Sequence, residues 1–73
     1  MNFEQLQVLL IDYLRTRVRG GEISERSLAR ITGLSQSHLH NVLKGKRWLS
    51  FDKADQILHH LHLNLQDLME PLE

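Results

Sequence analysis

Five polar side chains in one short stretch, Gln36, Ser37, His40, Asn41 and Lys44, have the types and spacing to do recognition chemistry. At the helical increment of 100° per residue they fall within an arc of about 140° that holds no acid and no large apolar group. The amides of Gln36 and Asn41 each offer a paired donor and acceptor, the pattern that matches an adenine edge. Serine and histidine can bond several bases. Leu39, Val42 and Leu43 occupy the other side and are expected to face a core, with His38 on the Val42 side as a packing residue. An ordinary solvated helix face would also be polar, so the weight of this reading rests on what flanks it.

Lys44, Lys46 and Arg47 place three cations within four residues around Gly45. Such a group suits a phosphate backbone, where it adds affinity without choosing a sequence. A second anion site is expected at the start of the helix following Ser24, because helix N-termini favour negative charge. Glu25 opposes it, and Arg26 and Ser27 offset Glu25. The net charge of zero conceals a segregation: all nine basic residues lie between 15 and 53, against only Glu22, Glu25 and Asp52. That middle segment carries a surplus of six positive charges, balanced by acids nearer both ends, which is the distribution expected if one face meets phosphates.

Positioning these groups requires helices, and the sequence supplies signals for five of them. Asn2, with Gln5 three residues on, forms a capping box for a first helix, whose stripe Phe3, Leu6, Leu10, Tyr13 and Leu14 is expected to be buried. Val8 and Ile11 lie beside the stripe, as extra core or as a partner surface. Gly20-Gly21 ends this helix, and Arg15, Arg17 and Arg19 suit its negative end. Ser24 and Ser35 each cap a further helix, and Ile23/Leu28 and Leu34/Leu39 have the spacing of hydrophobic staples. Gly33 lies where the chain must turn sharply, and Leu28, Leu34, Leu39 and Val42 form the wedge that sets the angle, with Ala29 at the crossing. Helix, tight turn, helix over about residues 24–44 is the layout of a helix-turn-helix, whose second helix (36–44) enters the major groove. Ser50 caps a fourth helix burying Phe51, Ala54, Ile57, Leu58 and Leu61. Asn64 caps a short fifth helix burying Leu65 and Leu68 and ending at Pro71. Trp48 is expected to fold over the core as a lid rather than to stack on a nucleotide.

At 73 residues with 41% hydrophobic content, the chain has the size of one domain, spanning 1–73, and strand signals are absent. The absence of cysteine removes disulfides, thiolate metal sites and cysteine nucleophiles together. His59 and His62 are three apart, but no suitable third ligand accompanies them, so no metal and no cofactor is expected. No nucleophile–base set or phosphate loop is present, which argues against an enzyme. No apolar run approaches membrane-spanning length, and no signal peptide is evident, so the expectation is a soluble cytoplasmic protein with no membrane partner.

From about Ile23 to Met69, and more loosely over the first helix, the sequence resembles the lambda-repressor-like (XRE-type) helix-turn-helix regulators. The resemblance rests on SLARITGLSQSHLHNVLKGKR, followed by Ser50 and the ILHHLHLNLQDLM tail. It implies an all-α, five-helix domain with the helix-turn-helix at helices two and three. It also implies base reading by Gln36, Ser37, His40 and Asn41, phosphate contact by Gly45, Lys46 and Arg47, and operator binding as a homodimer on a two-fold site. Three positions depart from the family pattern. Glu25 stands where many members carry glutamine, Leu49 at a common proline position, and His62 where a glycine usually ends helix four.

The leading expectation is therefore a sequence-specific DNA-binding transcriptional regulator, acting on double-stranded DNA and dimeric at least when bound. Val8 and Ile11, or Leu65, Met69 and Leu72, are candidate dimer surfaces. The alternative is a protein-interaction module, such as the antitoxin of a toxin–antitoxin pair, with or without DNA binding.

Overall fold

The computed structural model describes residues 2–69, the side chain of Leu65 excepted. Pro71 and Leu72, expected above to end the last helix and to join a dimer surface, lie outside the described residues. Five helices follow one another: α1 (Phe3–Arg19), α2 (Glu25–Thr32), α3 (Gln36–Leu43), α4 (Phe51–His60) and α5 (Leu65–Met69). There is no strand among the described residues. α2 packs on α3 and α4, while α1 packs on α3 and α5.

Each helix starts at the residue whose side chain can replace its missing carbonyl partners. Asn2 and Gln5 form a reciprocal capping box, with bonds of 2.8 and 3.1 Å. Ser24, Ser35 and Ser50 accept from the backbone N–H of Ser27, His38 and Lys53 at 3.0, 3.0 and 3.2 Å. Asn64 and Asp67 cap α5 in the same reciprocal way, each bond 2.9 Å. Such caps contribute about 1 kcal/mol apiece, a substantial share in a domain this small.

The turn between α2 and α3 depends on Gly33, whose φ of +72° lies in the left-handed region. A β-carbon there would meet only the flexible end of Lys53, at 3.4 Å, so the demand for glycine is one of backbone conformation rather than space. Thr32 prepares the turn: its buried hydroxyl donates to Leu28 O at 2.8 Å and accepts from Leu34 N–H at 3.3 Å. Leu28, Leu39 and Val42 are wholly buried, and Leu34 and Ile23 pack against them, as the wedge and staples require.

His62 adopts φ of +55°, in the left-handed region without the freedom of glycine. The backbone closes a Schellman motif around it, Leu63 N–H donating to Leu58 O at 2.9 Å and His62 N–H to His59 O at 3.2 Å. The turn is thus kept and the strain accepted. His62→Gly should raise stability by about 0.5–1 kcal/mol, the steric relief exceeding the entropy that glycine adds to the unfolded chain. Thermal unfolding should show a Tm higher by roughly 2–8 °C. A lower Tm would mean that the imidazole makes a compensating contact.

The core differs from the sequence expectation at Phe3, Phe51 and Trp48. Phe3 and Phe51 are 38% and 66% exposed rather than buried. They sit at the first turns of α1 and α4, beyond the end of the core, and cover each other, with ring centroids 5.4 Å apart. Trp48 is 58% exposed and is not a lid. Leu49, its neighbour, enters the core in its place at 3% exposure. Ile11 is core, whereas Val8 remains half exposed.

The residue that most shapes the loop after α3 is Gln7, 1% exposed within the apolar stripe of α1. Its Nε2 donates to the carbonyl of Leu49, and its Oε1 accepts from the Leu49 N–H at 3.1 Å. One amide thereby satisfies both backbone groups of a buried loop residue 42 positions away. Neither partner could be buried at acceptable cost alone.

Candidate nucleic-acid interface

α3 is amphipathic because Leu39, Val42 and Leu43 must cover α1 and α2. Its remaining positions are thereby turned outward. Gln36, Ser37 and His40 are exposed, Asn41 is half buried, and His38 is half buried on the packing side. Among the described residues, the side chains of Gln36, Ser37 and Asn41 have no hydrogen-bond partner. Their donors and acceptors are free for an external edge.

α3 ends at Lys44, and Gly45 takes φ of +79° to reverse the chain. Lys46 N–H then donates to Asn41 O at 2.9 Å and Gly45 N–H to Val42 O at 3.0 Å, a Schellman closure that satisfies the last carbonyls. Leu43 O is claimed by Arg15 Nε of α1 at 2.8 Å. With Gln7 holding Leu49, the loop carrying Lys46 and Arg47 is pinned to α1 at both its ends.

An open cleft of about 690 Å³ lies where α1, α2 and the end of α3 meet. It brings together three residues singled out from the sequence, His40, Lys44 and Lys46, with Arg15, Arg19 and Glu25. Arg47 diverges from its neighbour Lys46 and lines a separate hollow with Val8, Ile11 and Trp48. Arg26 is exposed and Ser27 half buried at the first turn of α2, and neither lines this cleft. The Ser27 N–H is already bonded to Ser24 Oγ, and Ser24 donates in turn to Ser27 Oγ at 3.0 Å. What Ser27 retains for an anion is its hydroxyl proton.

The basic residues do different work. Arg15 caps α3 and pairs with Asp12 at 3.0 Å. Arg17 pairs with Glu22 and lies over the Tyr13 ring, 4.8 Å from its centroid. The hydrogen bond that Arg17 donates to Glu22, then that with Tyr13, raises the Arg17 pKa above its ordinary value. Both arginines are thus engaged within the protein. Arg19 is exposed and stands in the cleft beside Lys44 and Lys46. Sequence reasoning assigned Arg19 only to the helix end; its membership in the basic surplus was the available signal.

Glu25 is the acid within this basic cleft, and it pairs with His40, Oε1 to Nδ1 at 3.3 Å. His59, by contrast, faces Asp55 along α4 at 3.8 Å. No group of three potential metal ligands occurs among the described residues. Among them, no helix is long and apolar enough to cross a membrane.

A glycine-turned pair of helices, with a buried inner face and a polar outer helix ending in cations, defines a helix-turn-helix DNA-binding domain. The comparison with known families agrees: residues 14–72 match the model of the Cro/C1-type HTH DNA-binding domain, and the chain belongs to that family. No curated protein and no solved structure matches the chain.

Proposed function

We propose that this protein is a sequence-specific DNA-binding transcriptional regulator that lays α3 in the major groove of double-stranded DNA. The reading is carried by the outward arc of α3, where unpaired amide and hydroxyl groups adjoin a pinned cationic loop. Gln36, Ser37, His40 and Asn41 meet base edges in this reading. Lys44, Lys46 and Arg47, with Arg26 and the Ser27 hydroxyl, meet phosphates, and Arg19 extends that set. A single copy reads few base pairs, so usable specificity calls for a homodimer on a two-fold site.

Salt dependence tests the phosphate half of this proposal. Binding to duplex DNA should weaken linearly in log–log form as salt rises, and Lys46→Ala should reduce the slope by about 0.9 while weakening all sequences alike. An unchanged slope would remove Lys46 from the interface. One observation favours the alternative, a protein-interaction module such as an antitoxin: Val8, Trp48, Phe3 and Phe51 are all exposed apolar residues. If DNA binding proved insensitive to both salt and Lys46→Ala, while a protein partner was retained, that alternative would prevail.

A further inference from the structure

The contact between Glu25 and His40 carries a consequence for which bases α3 accepts. His40 is the one proposed base-reading residue whose side chain has a hydrogen-bond partner among the described residues, and that partner is 15 positions away on the neighbouring helix. The carboxylate of Glu25 is an acceptor only. To bond it across 3.3 Å, Nδ1 must carry the proton. In the neutral ring the proton cannot then also be on Nε2, because the partner of one ring nitrogen sets the state of the other. Nε2 is left as a bare acceptor at the far edge of a half-exposed ring, while Arg15 and Arg19 from α1, and Lys44 and Lys46 beyond it, surround the pair as donors only.

We infer that Glu25 is a specificity-determining residue: by fixing His40 in the Nδ1–H tautomer, it restricts His40 to bases that present a donor in the major groove. The matching groups there are the exocyclic amines of adenine N6 and cytosine N4. Guanine O6 and N7 and thymine O4 offer acceptors, which would face the Nε2 lone pair and be rejected. The inference rests on the reading of α3 as the base-reading helix. Glu25 is a positioning residue in it, acting through His40 and touching no base. An acid at the start of α2 is otherwise a liability against DNA, and this assignment gives it a role that an uncharged side chain would perform less well. Glutamine could accept or donate at the same place and would leave the tautomer unspecified.

The test has two arms. Nitrogen-15 NMR of the histidine rings, recorded on the free protein at alkaline pH where the spectra themselves show the neutral ring, reports the tautomer directly. The wild-type protein should show His40 protonated at Nδ1 and bare at Nε2, and Glu25→Gln should lose that bias. A wild-type Nε2–H tautomer overturns the inference whether or not α3 reads DNA. The second arm is selection from random duplex DNA with wild type, Glu25→Gln and His40→Ala. At the position whose preference vanishes in His40→Ala, the wild type should favour adenine or cytosine by roughly tenfold, the discrimination expected of a single hydrogen bond. Glu25→Gln should reduce this to about twofold while leaving the positions read by Gln36 and Asn41 unchanged. Removing the carboxylate should strengthen binding to every sequence, so preference rather than affinity is the readout. A preference unmoved by Glu25→Gln overturns the inference. Absence of any sequence preference, including at the positions assigned to Gln36 and Asn41, would instead overturn the reading of α3 itself.

Discussion

Gln7→Leu should lower the unfolding free energy by about 3 kcal/mol, because it strands the N–H and the carbonyl of Leu49 in the core without partners. For a chain of 73 residues that corresponds to a Tm lower by roughly 12–24 °C. Leucine has nearly the volume of glutamine, so the loss would report the missing hydrogen bonds rather than a cavity. Gln7→Glu separates the two bonds. Its carboxylate could accept from Leu49 N–H but would confront Leu49 O with a second acceptor. Protonation would restore a donor, so the folded-state pKa at this position should be raised above its unfolded value. The stability contribution would then be fully present below the unfolded pKa and lost as pH rises through the folded one. Relative to wild type, Gln7→Glu should therefore be least destabilised in mild acid and most at neutral pH. Chemical denaturation across that range checks the sign, and a pH-independent difference would contradict the bonding scheme. The effect should reach the interface too, since Gln7 holds the loop bearing Lys46 and Arg47.

The second large effect is on recognition. In the proposed reading, Gln36→Ala or Asn41→Ala should each remove about 1–3 kcal/mol of discrimination between the preferred site and one altered at the contacted base pair, roughly 5- to 150-fold. Binding to non-specific DNA should change little, because phosphate contacts dominate it. Neither side chain is in the core, so thermal stability should be nearly unchanged and a folding defect would not confuse the result. Competition binding with matched and altered duplexes measures the ratio. Equal weakening on both duplexes would assign the residue to the backbone instead.

Local signals were the legible part of this molecule. Ser24, Ser35 and Ser50 announce helix starts by chemistry confined to three residues, and Gly33 announces a turn by conformation alone. The wedge of Leu28, Leu39 and Val42 follows from helical periodicity. What depended on contacts between distant segments was harder to read. Gln7 lies between Phe3 and Leu10 on the buried stripe, and that spacing was a signal for burial. The polarity of Gln7 argued the other way, and only Leu49, arriving from across the chain, resolves the conflict. Leu49 rather than Trp48 enters the core for the same reason, because the amide of Gln7 bonds the backbone of Leu49. Phe3 and Phe51 satisfy the periodicity of their helices yet lie past the core's end, where they shield one another. At the candidate site, the outward arc of α3 was visible in the sequence. The pairing of His40 with Glu25, the engagement of Arg15 by Leu43, and the divergence of Arg47 from Lys46 were not, since each is set by how helices cross rather than by spacing along one of them.

Selection of binding sites from random duplex DNA by the wild-type protein, at a stated near-physiological salt concentration, tests the central claim most directly. A short enriched motif, repeated with two-fold symmetry and losing information at separate positions in Gln36→Ala and Asn41→Ala, is the result expected of α3 in the major groove. Recovery of DNA with no enriched motif, or a motif unaltered by both substitutions, would contradict it.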